Sequence, residues 1–343
     1  MITDREAVAL TRTLQNLPHL RTINLSLCYG WTPAGALELV RGLGRCLSLE
    51  GISLDSVQLD EESTVCLAQG LHAMTSLKRL NLNKKVTMVT GSPWVGATLV
   101  LLASLEGLRG MEELELDGMR ISDNGVEELI KHLPTWSGLR NISLFPFLCL
   151  SLSGNCISDQ AGERLVQALT TCTALEELNL SRNNLSLACA AKMGQVLPTL
   201  THFRVLDLSE NEIGTKGSVS ISKALISMKY LTKIHLTSIG TSELAGLADS
   251  LAHCVCAEDV SFAWNDCGDD VAVKLAEVLP QCQKLRRLDL ESNSISTIGA
   301  EALARSLQSC PSVEVIRLWR NFISTSDAQK LRQREKRLNF SST

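Results

Sequence analysis

Apolar and polar positions recur along this chain in one short pattern. The pattern is clearest at residues 175–185, LEELNLSRNNL, which has the form LxxLxLxxNxL, with leucine at positions one, four, six and eleven and asparagine at position nine. It begins at Leu20, Leu49, Leu77, Met111, Leu139, Leu175, Phe203, Leu231, Ala257, Leu285 and Val313. Most of the intervals between these starts are 28 residues. A fixed period of this length indicates stacked repeats, because one unit cannot bury its own apolar side chains.

Each unit contains one strand and one helix. The LxLxx part alternates apolar and polar residues as a strand does, whereas the segment that follows, such as residues 158–172, has apolar residues at helical spacing. Parallel strands stack about 4.8 Å apart and helices need more width, so the stack should bend. The sequence therefore predicts an α/β fold, a leucine-rich-repeat solenoid shaped as a horseshoe, with about eleven repeats.

We predict a single domain over residues 1–343. Residues 1–19 read as the last helix of a preceding repeat, and residues 322–343 as a C-terminal cap. Asparagine at position nine should hydrogen-bond the backbone where the chain leaves each strand. Val57, Met119 and Ile239 depart from asparagine there, and so does Lys85, so their turns are expected to be looser.

The unit that begins at Leu139 is 36 residues long and holds two starts, LRNISL at 139–144 and LCLSLSGN at 148–155. Deleting Phe145 to Leu152 restores the 28-residue spacing. These residues have pyrimidine-rich codons, so we hypothesise a retained intron end or an alternative acceptor site. If they are translated, we expect the mostly apolar segment to bulge from the strand–loop junction.

The unit that begins at Leu77 is 34 residues long. Its extra residues lie around Thr87 to Val95, where Gly91 and Pro93 indicate a loop. We predict a protruding loop that displays Trp94, with a tryptophan folded back onto the helix as the alternative.

Composition limits the function classes. The net charge is −4, and nucleic-acid recognition depends on clustered lysine and arginine, so no direct nucleic-acid contact is expected. The longest apolar run, Thr98 to Leu105, is far shorter than the roughly 20 residues of a membrane helix and indicates a core helix. No nucleotide-binding, zinc-protease or nucleophile-elbow motif occurs, so we predict neither enzyme activity nor a cofactor.

Cysteines and a pair of aspartates are the candidate metal ligands. Five of the twelve cysteines lie three residues before the start of a repeat, namely Cys46, Cys172, Cys254, Cys282 and Cys310. A repeated position of this kind predicts buried, reduced thiols rather than zinc or disulfides, and hence a cytoplasmic or nuclear protein. Asp269 and Asp270 occupy a predicted helix start, where carboxylates favour the positive end of the helix dipole.

A partner protein is expected on the inner, concave face, formed by positions three, five, seven and eight, whose side chains cannot reach the core. The middle of this face is acidic and includes Glu113, Glu115, Asp117, Glu177 and Asp207. Its C-terminal part carries Trp264, Arg287, Arg317, Trp319 and Arg320. Tryptophan and arginine are enriched at binding hot spots. In the alternative, Trp319 stacks on Arg317 or Arg320 and only caps the end of the solenoid.

The repeat type resembles the ribonuclease-inhibitor class, which includes the C-terminal domains of NOD-like receptors. Residues 284–340, from KLRRLDLESNSISTIGAEALARSLQSCPSVEVIRLWRNFIS to KRLNF, are similar to the C-terminal end of CARD-type members of that family that act in MHC class I transactivation. The likeness in repeat type covers the whole chain, and the more specific likeness rests on these residues.

The resemblance implies a regulator of innate immunity, of MHC class I expression and of interferon and NF-κB signalling, which works through partner proteins in the cytoplasm and the nucleus. No nucleotide-binding motif of the family can be carried over, so any nucleotide-binding domain lies outside this chain. Two alternatives stay open. One is an enzyme inhibitor of the ribonuclease-inhibitor kind, and the other is a ligand-sensing or autoinhibitory repeat domain of another NOD-like receptor.

Overall fold

The computed structural model describes residues 4–14, 16–26, 28, 30–84, 95–137 and 148–341. Contacts between residues divide the chain into two units. Residues 1–161 and 168–175 form the N-terminal unit, and residues 162–167 and 176–343 form the C-terminal unit. Both are built from alternating short strands and helices. The assignment of residues 1–343 to one domain stays a prediction.

In the N-terminal unit, each strand pairs in parallel with the next one in chain order. The strands that the structure describes there are β1 (Thr22–Asn24), β2 (Gly51–Ser53), β3 (Arg79–Asn81), β4 (Glu113–Glu115) and β5 (Cys149–Ser151). The helices are α1 (Asp4–Leu14), α2 (Pro33–Leu43), α3 (Glu61–Leu71), α4 (Val95–Ala103) and α5 (Ser122–Trp136). Helix α6 (Asp159–Ala168) contains the boundary with the second unit.

The C-terminal unit repeats this order with parallel neighbours throughout. Its strands are β6 (Glu177–Asn179), β7 (Val205–Asp207), β8 (Lys233–His235), β9 (Asp259–Ser261), β10 (Arg287–Asp289), β11 (Val315–Arg317) and β12 (Leu338–Asn339). Its helices are α7 (Leu187–Val196), α8 (Gly214–Leu225), α9 (Ala245–Ser250), α10 (Asp269–Val278), α11 (Thr297–Ser306) and α12 (Thr325–Arg334).

Each three-residue strand from β2 to β11 keeps its middle side chain in the core, whereas Ile23 of β1 is half-buried. In β6, Leu178 is buried whereas Glu177 is exposed and Asn179 is half-buried. Leu178 pairs with Leu206 of β7, and Leu206 pairs with Ile234 of β8, so the repeated leucines form stacked layers. Ten of the eleven predicted starts are confirmed, because a strand begins two residues after each of them.

The exception is the start predicted at Leu139, which is wrong. Strand β5 begins at Cys149, so the fold uses the second start, and the 36-residue interval falls between β4 and β5. Leu150 and Leu152 are buried, which contradicts the expected bulge of Phe145 to Leu152. The second start is preferred because it places both leucines in the core and Asn155 at position nine, where this asparagine is fully buried. The splicing hypothesis stays a prediction, and residues 138–147 lie outside the described residues.

The second long interval separates β3 from β4. Residues 85–94 lie outside the described residues, and the predicted loop with Trp94 lies there with them. Helix α4 follows, and Leu101, Leu102 and Leu105 are buried, which confirms the apolar run as part of the core. In the part of the chain that the structure describes, no helix is both long and apolar enough to cross a membrane.

Asparagine at position nine closes the turn after the strand. Nδ2 of Asn293 donates to the carbonyl of Leu290 in its own repeat and to that of Phe262 in the preceding repeat, each at 3.0 Å. Its Oδ1 accepts from the N–H groups of Asn265 and Cys267 in that preceding repeat, at 3.0 and 3.2 Å. One side chain therefore satisfies backbone groups of two repeats, as expected for buried polar atoms.

Where position nine is apolar, the side chain packs in the core instead. Val57, Met119 and Ile239 are buried. The N–H of Ile239 donates to Oδ1 of Asn265 in the following repeat at 2.8 Å, and the N–H of Val57 donates to the carbonyl of Leu54 at 3.0 Å. These turns are closed by apolar packing and a neighbouring amide or carbonyl, so the expectation of looser turns is not supported. Lys85 lies outside the described residues.

Position eight has a left-handed backbone in most repeats. Positive φ angles between 52° and 68° occur there at Ser56, Gly118, Gly154, Arg182, Glu210, Ser238, Trp264, Ser292 and Arg320. A left-handed conformation costs a residue with a Cβ roughly 1–2 kcal/mol, so the surrounding turn must hold it in place. The hydrogen bonds of the position-nine asparagine do so in most of these repeats, whereas Val57, Met119 and Ile239 hold the turn by packing in the core.

Aspartates at helix starts bind the next repeat. Oδ1 of Asp269, the first residue of α10, accepts from the N–H groups of Ser296 and Gly299, at 2.8 and 3.0 Å. Asp4 and Asp123 bind Thr32 and Ser158 in the same way. Gly299 is required for this approach, because a Cβ built there would lie 2.5 Å from Oδ1 of Asp269.

The repeated cysteines lie where the helix returns towards the next strand. All five are buried, as predicted. The thiol of Cys282 lies 3.6 Å from the carbonyls of Leu251 and Val278, and Cys254 has equivalent carbonyl contacts. Burial raises the pKa of Cys254 to about 12 and that of Cys282 to about 11, so these thiols are neutral near pH 7.

The C-terminal cap adds a short strand that the sequence pattern does not predict. Strand β12 pairs with β11, and Leu338 in it is fully buried. Arg337 fastens the cap, because its guanidinium donates to the carbonyls of Cys310 and Leu307 at 2.8 and 2.9 Å and also binds Glu335. These bonds satisfy carbonyl groups at the end of the preceding helical segment.

We predict that Asp269→Ala lowers the free energy of unfolding by about 1–3 kcal/mol, because it leaves donors of the next repeat unpaired. The matched control is Asp270→Ala, which removes the adjacent, exposed carboxylate and should change that free energy by less than about 0.5 kcal/mol. Urea titration followed by circular dichroism measures both variants. Equal losses would mean that the two aspartates act only through the helix dipole.

Candidate partner-binding surface

The exposed sheet face of the C-terminal unit consists of positions three and five of each strand and positions seven and eight of the turn that follows. The buried middle residue of each strand turns the two flanking side chains away from the core. Because the strands are parallel and in register, residues at one position of successive repeats lie side by side, roughly 4.8 Å apart. The sheet face is thus a set of rows that run across the repeats.

Trp264, Trp319 and Arg320 form a Trp–Arg cluster on this face. The Cζ atom of Arg320 lies 4.4 Å from the ring centroid of Trp319 and 5.5 Å from that of Trp264. Trp264 is 52% exposed, Trp319 is half-buried and Arg320 is exposed. The alternative foreseen from the sequence, with Trp319 stacked on Arg320, is therefore part of the arrangement, but Arg320 also joins Trp319 to Trp264.

The backbone of the repeats fixes the Cα positions from which these side chains project. Trp264 and Arg320 occupy position eight, with φ angles of 57° and 55°. The N–H of Trp264 donates to the carbonyl of Glu291 at 2.9 Å, and the N–H of Ser292 donates to that of Trp319 at 2.8 Å. Three successive turns are thereby linked, and the cluster is built on a rigid frame rather than on a free loop.

A row of ion pairs lies beside the cluster. Nε of Arg287 is 3.2 Å from Oδ2 of Asp259, and Nε2 of His235 is 3.6 Å from Oδ1 of the same aspartate. Nδ1 of His235 is 3.9 Å from Oδ2 of Asp207. Strands β7 to β10 therefore carry alternating charges that pair with one another.

Arg317 pairs separately, with its Nη1 3.6 Å from Oδ2 of Asp289. Around Asp259 and Arg317 the face forms an open groove of about 350 Å³. Burial raises the pKa of the nearby carboxyl of Glu291, and the negative charge of Asp289 acts in the same direction.

Protonation of His235 is coupled to its two aspartates. The nearby carboxylate of Asp207 raises the pKa of His235, and the negative charge of Asp259 adds to this effect. Burial opposes ionisation of Asp207, but the attraction of the nearby His235 and the hydrogen bond from the N–H of Ser209 outweigh burial and lower its pKa. A charged His235 is thus the form that this site favours.

The predicted acidic residues do not form one described cluster. Glu113, Glu115 and Asp117 belong to the N-terminal unit, whereas Glu177 and Asp207 belong to the C-terminal unit. Glu177 is exposed on β6, and Asp207 is paired with His235.

The acidic residues of the N-terminal unit bind their own neighbours. Oε2 of Glu115 accepts from the amides of Asn81 and Asn83, at 2.7 and 2.9 Å, and burial raises the pKa of this carboxyl. Asp117 accepts from Ser151 and Ser153, at 2.7 and 2.8 Å. Within the described ranges, no three His, Cys, Asp or Glu side chains are placed to hold a metal ion.

Comparison with known sequences agrees with this architecture. A family model described as "Leucine Rich repeat" matches residues 199–222 and 281–304, which cover β7 and β10 with the helices around them. The chain carries leucine-rich repeats. A leucine-rich-repeat fold is also seen in the crystal structure of an internalin, InlF from Listeria monocytogenes. This structure superposes with a TM-score of 0.52 over 99% of this chain and 95% of that one, at 14% identity. The predicted fold class is therefore confirmed.

The sequence is also similar to that of Protein NLRC5 from two organisms. Over 276 residues, 80% of this chain, the sequence is 54% identical to "Protein NLRC5" of Ictalurus punctatus. It is 33% identical to "Protein NLRC5" of Homo sapiens over 179 residues, 52% of this chain. The chain spans only 15% and 8% of the lengths of these two relatives. The resemblance to a NOD-like receptor repeat region is confirmed.

Two features of the surface were missed in the sequence. The link between His235 and its aspartates depends on residues 28 positions before it and 24 positions after it, so it appears only when equivalent positions of neighbouring repeats are compared. The left-handed position eight gives no consistent residue signal, because Gly, Ser, Arg, Glu and Trp all occur there. It could have been inferred from the two glycines at that position, Gly118 and Gly154.

We predict that His235→Gln lowers the melting temperature more at a pH of about 5.5 than at about 9. The folded protein raises the pKa of His235, so its stabilisation is complete below the ordinary pKa of about 6.5 and is lost as the pH rises through the folded value. Differential scanning fluorimetry at both pH values measures the effect. The control is His253→Gln, because His253 is exposed and has no ion pair among the described residues. A pH-independent difference would contradict the coupling.

Proposed function

We propose that this chain is a non-enzymatic, protein-binding repeat segment of an innate-immune regulator of the NOD-like receptor type. The observation that carries this proposal is the 54% identity to Protein NLRC5 over 80% of the chain. Transactivation of MHC class I genes, and control of interferon and NF-κB signalling, enter the proposal through the resemblance. So does action in both the cytoplasm and the nucleus.

The partner protein binds to the exposed sheet face, which is the concave side of the proposed horseshoe, with the Trp–Arg cluster as its centre. Trp264 offers a large exposed indole, and Arg320 offers several donors in one side chain. Burial of the exposed half of an indole would contribute on the order of 2–3 kcal/mol to binding. Side chains of this kind dominate interface energies, whereas charges at the rim mainly affect the rate of association.

The ion-paired row beside the cluster forms the rim of this interface. Arg287, Asp259 and His235 already have partners within the protein, so a ligand gains less from contacting them. Glu177 and Asp207, further along the sheet, are expected to orient the partner through their charge. This division assigns affinity to the Trp–Arg cluster and orientation to the acidic residues.

We expect the chain to compete with a full-length relative for the partner. Excess chain should lower the activity of an MHC class I promoter reporter driven by Protein NLRC5 of Ictalurus punctatus. On the order of a tenfold excess leaves roughly a tenth of the partner for the full-length protein if affinities are equal. Trp264→Ala with Trp319→Ala should remove this competition. An unchanged reporter at that excess of wild-type chain would refute the proposal.

The control variant is Tyr230→Ala, which removes another exposed aromatic side chain of the C-terminal unit, away from the sheet face. It should compete like the wild-type chain. Melting temperatures of all variants show whether the loss of competition reflects unfolding. Inhibition of a pancreatic-type ribonuclease by the purified chain would instead support the enzyme-inhibitor alternative.

A further inference from the structure

We infer that Arg320 binds a carboxylate of the partner protein, in a segment whose adjacent apolar side chain packs on Trp264. This inference rests on the proposed function and deepens it, because it states what the Trp–Arg cluster recognises. The ligand is the side chain of an aspartate or a glutamate, held at the edge of the guanidinium group.

Arg320 has stacked partners but no charged partner. Its guanidinium lies against the rings of Trp319 and Trp264. Among the residues that the structure describes, it makes no ion pair and no side-chain hydrogen bond. Stacking uses the flat faces of a guanidinium, whereas its N–H donors point outwards in the plane of the group. These donors remain for a ligand, and a carboxylate matches two of them in a bidentate pair.

Arg182 provides a comparison within the same chain. It occupies position eight of an earlier repeat, with the same φ angle of 55° as Arg320. Its Nε donates to Oε1 of Glu210, at position eight of the following repeat, over 2.9 Å. Arg287 and Arg317 are paired with aspartates as well. On the described sheet face of the C-terminal unit, Arg320 is the one arginine without a carboxylate.

The site is formed before the ligand arrives. Between Trp264 and Arg320, position eight is Ser292, whose short side chain leaves the space that Arg320 crosses to reach Trp264. The amide of Asn321 donates to the carbonyls of Leu290 and Leu318, at 2.8 and 3.0 Å, and so holds the turn that carries Arg320. A stacked arginine on a fixed turn loses little conformational entropy on binding, which favours affinity.

The surroundings favour a single carboxylate over a polyanion. Asp259, Asp289 and Glu291 lie on the same sheet face, and the whole chain has a net charge of −4. A nucleic acid would bring many phosphates against these carboxylates, which is unfavourable. One aspartate or glutamate next to an apolar side chain avoids this repulsion and also covers the exposed part of the Trp264 indole.

The test uses a blocked peptide with one glutamate between two leucines, together with its glutamine counterpart. Nitrogen-15 NMR of the wild-type chain follows the indole N–H signals of its five tryptophans, with Trp264→Phe and Trp319→Phe for assignment. The glutamate peptide should shift the signals of Trp264 and Trp319 in a saturable way. The glutamine peptide should bind at least about tenfold more weakly, because it cannot form the charged bidentate pair.

Arg320→Gln should lower the affinity for the glutamate peptide to that for the glutamine peptide. Arg182→Gln should leave the affinity for the glutamate peptide unchanged. Equal binding of the two peptides to the wild-type chain would overturn the inference, whatever the stability of the variants. If a single-stranded oligonucleotide shifted the same signals and bound more tightly than the glutamate peptide, the ligand would be a polyanion and the inference would be overturned. If competition in the reporter assay is lost with the tryptophans but not with Arg320→Gln, the proposed function stands and this inference fails.

Discussion

The structure depends on satisfying the backbone where each short strand ends. Strands of two or three residues leave the sheet almost as soon as they enter it, so N–H and carbonyl groups would be buried without partners at every turn. The position-nine asparagine solves this by bonding to its own repeat and to the preceding one, as Asn293 does. Where this asparagine is present, its hydrogen bonds join the turns of adjacent repeats, which adds to the coupling that the leucine layers provide.

The same constraint shapes the surface. A turn closed by asparagine holds the preceding residue in a left-handed conformation, whatever its side chain. The backbones of Trp264 and Arg320 are therefore placed by core hydrogen bonds, while their side chains stack on one another at the surface. This separation between frame and surface explains how a leucine-rich-repeat chain can change its ligand while it keeps its fold.

The sequence predicts the frame better than the site. Leucine spacing located ten strands, since burial of the same positions is required in every repeat. It misplaced β5 because LRNISL and LCLSLSGN both satisfy the local pattern, and only the burial of Leu150 and Leu152 in the stack distinguishes them. The alternation along each strand predicts which positions face away from the core, but the sequence does not show which of those side chains pair. The stacking of Arg320 on two indoles depends on side-chain reach across two repeat intervals.

In a solenoid, the chemical neighbours of a surface residue lie about one repeat away in sequence and not beside it in the chain. Arg182 is neutralised by Glu210, 28 residues later, whereas the residue one repeat before Arg320 is Ser292 and the one before that is Trp264. An arginine in the same backbone conformation therefore forms an internal ion pair in one repeat and remains open for a ligand in another. A single exchange at position eight changes the role of the adjacent repeat's side chain without disturbing any core contact, so binding specificity can change there at little cost in stability.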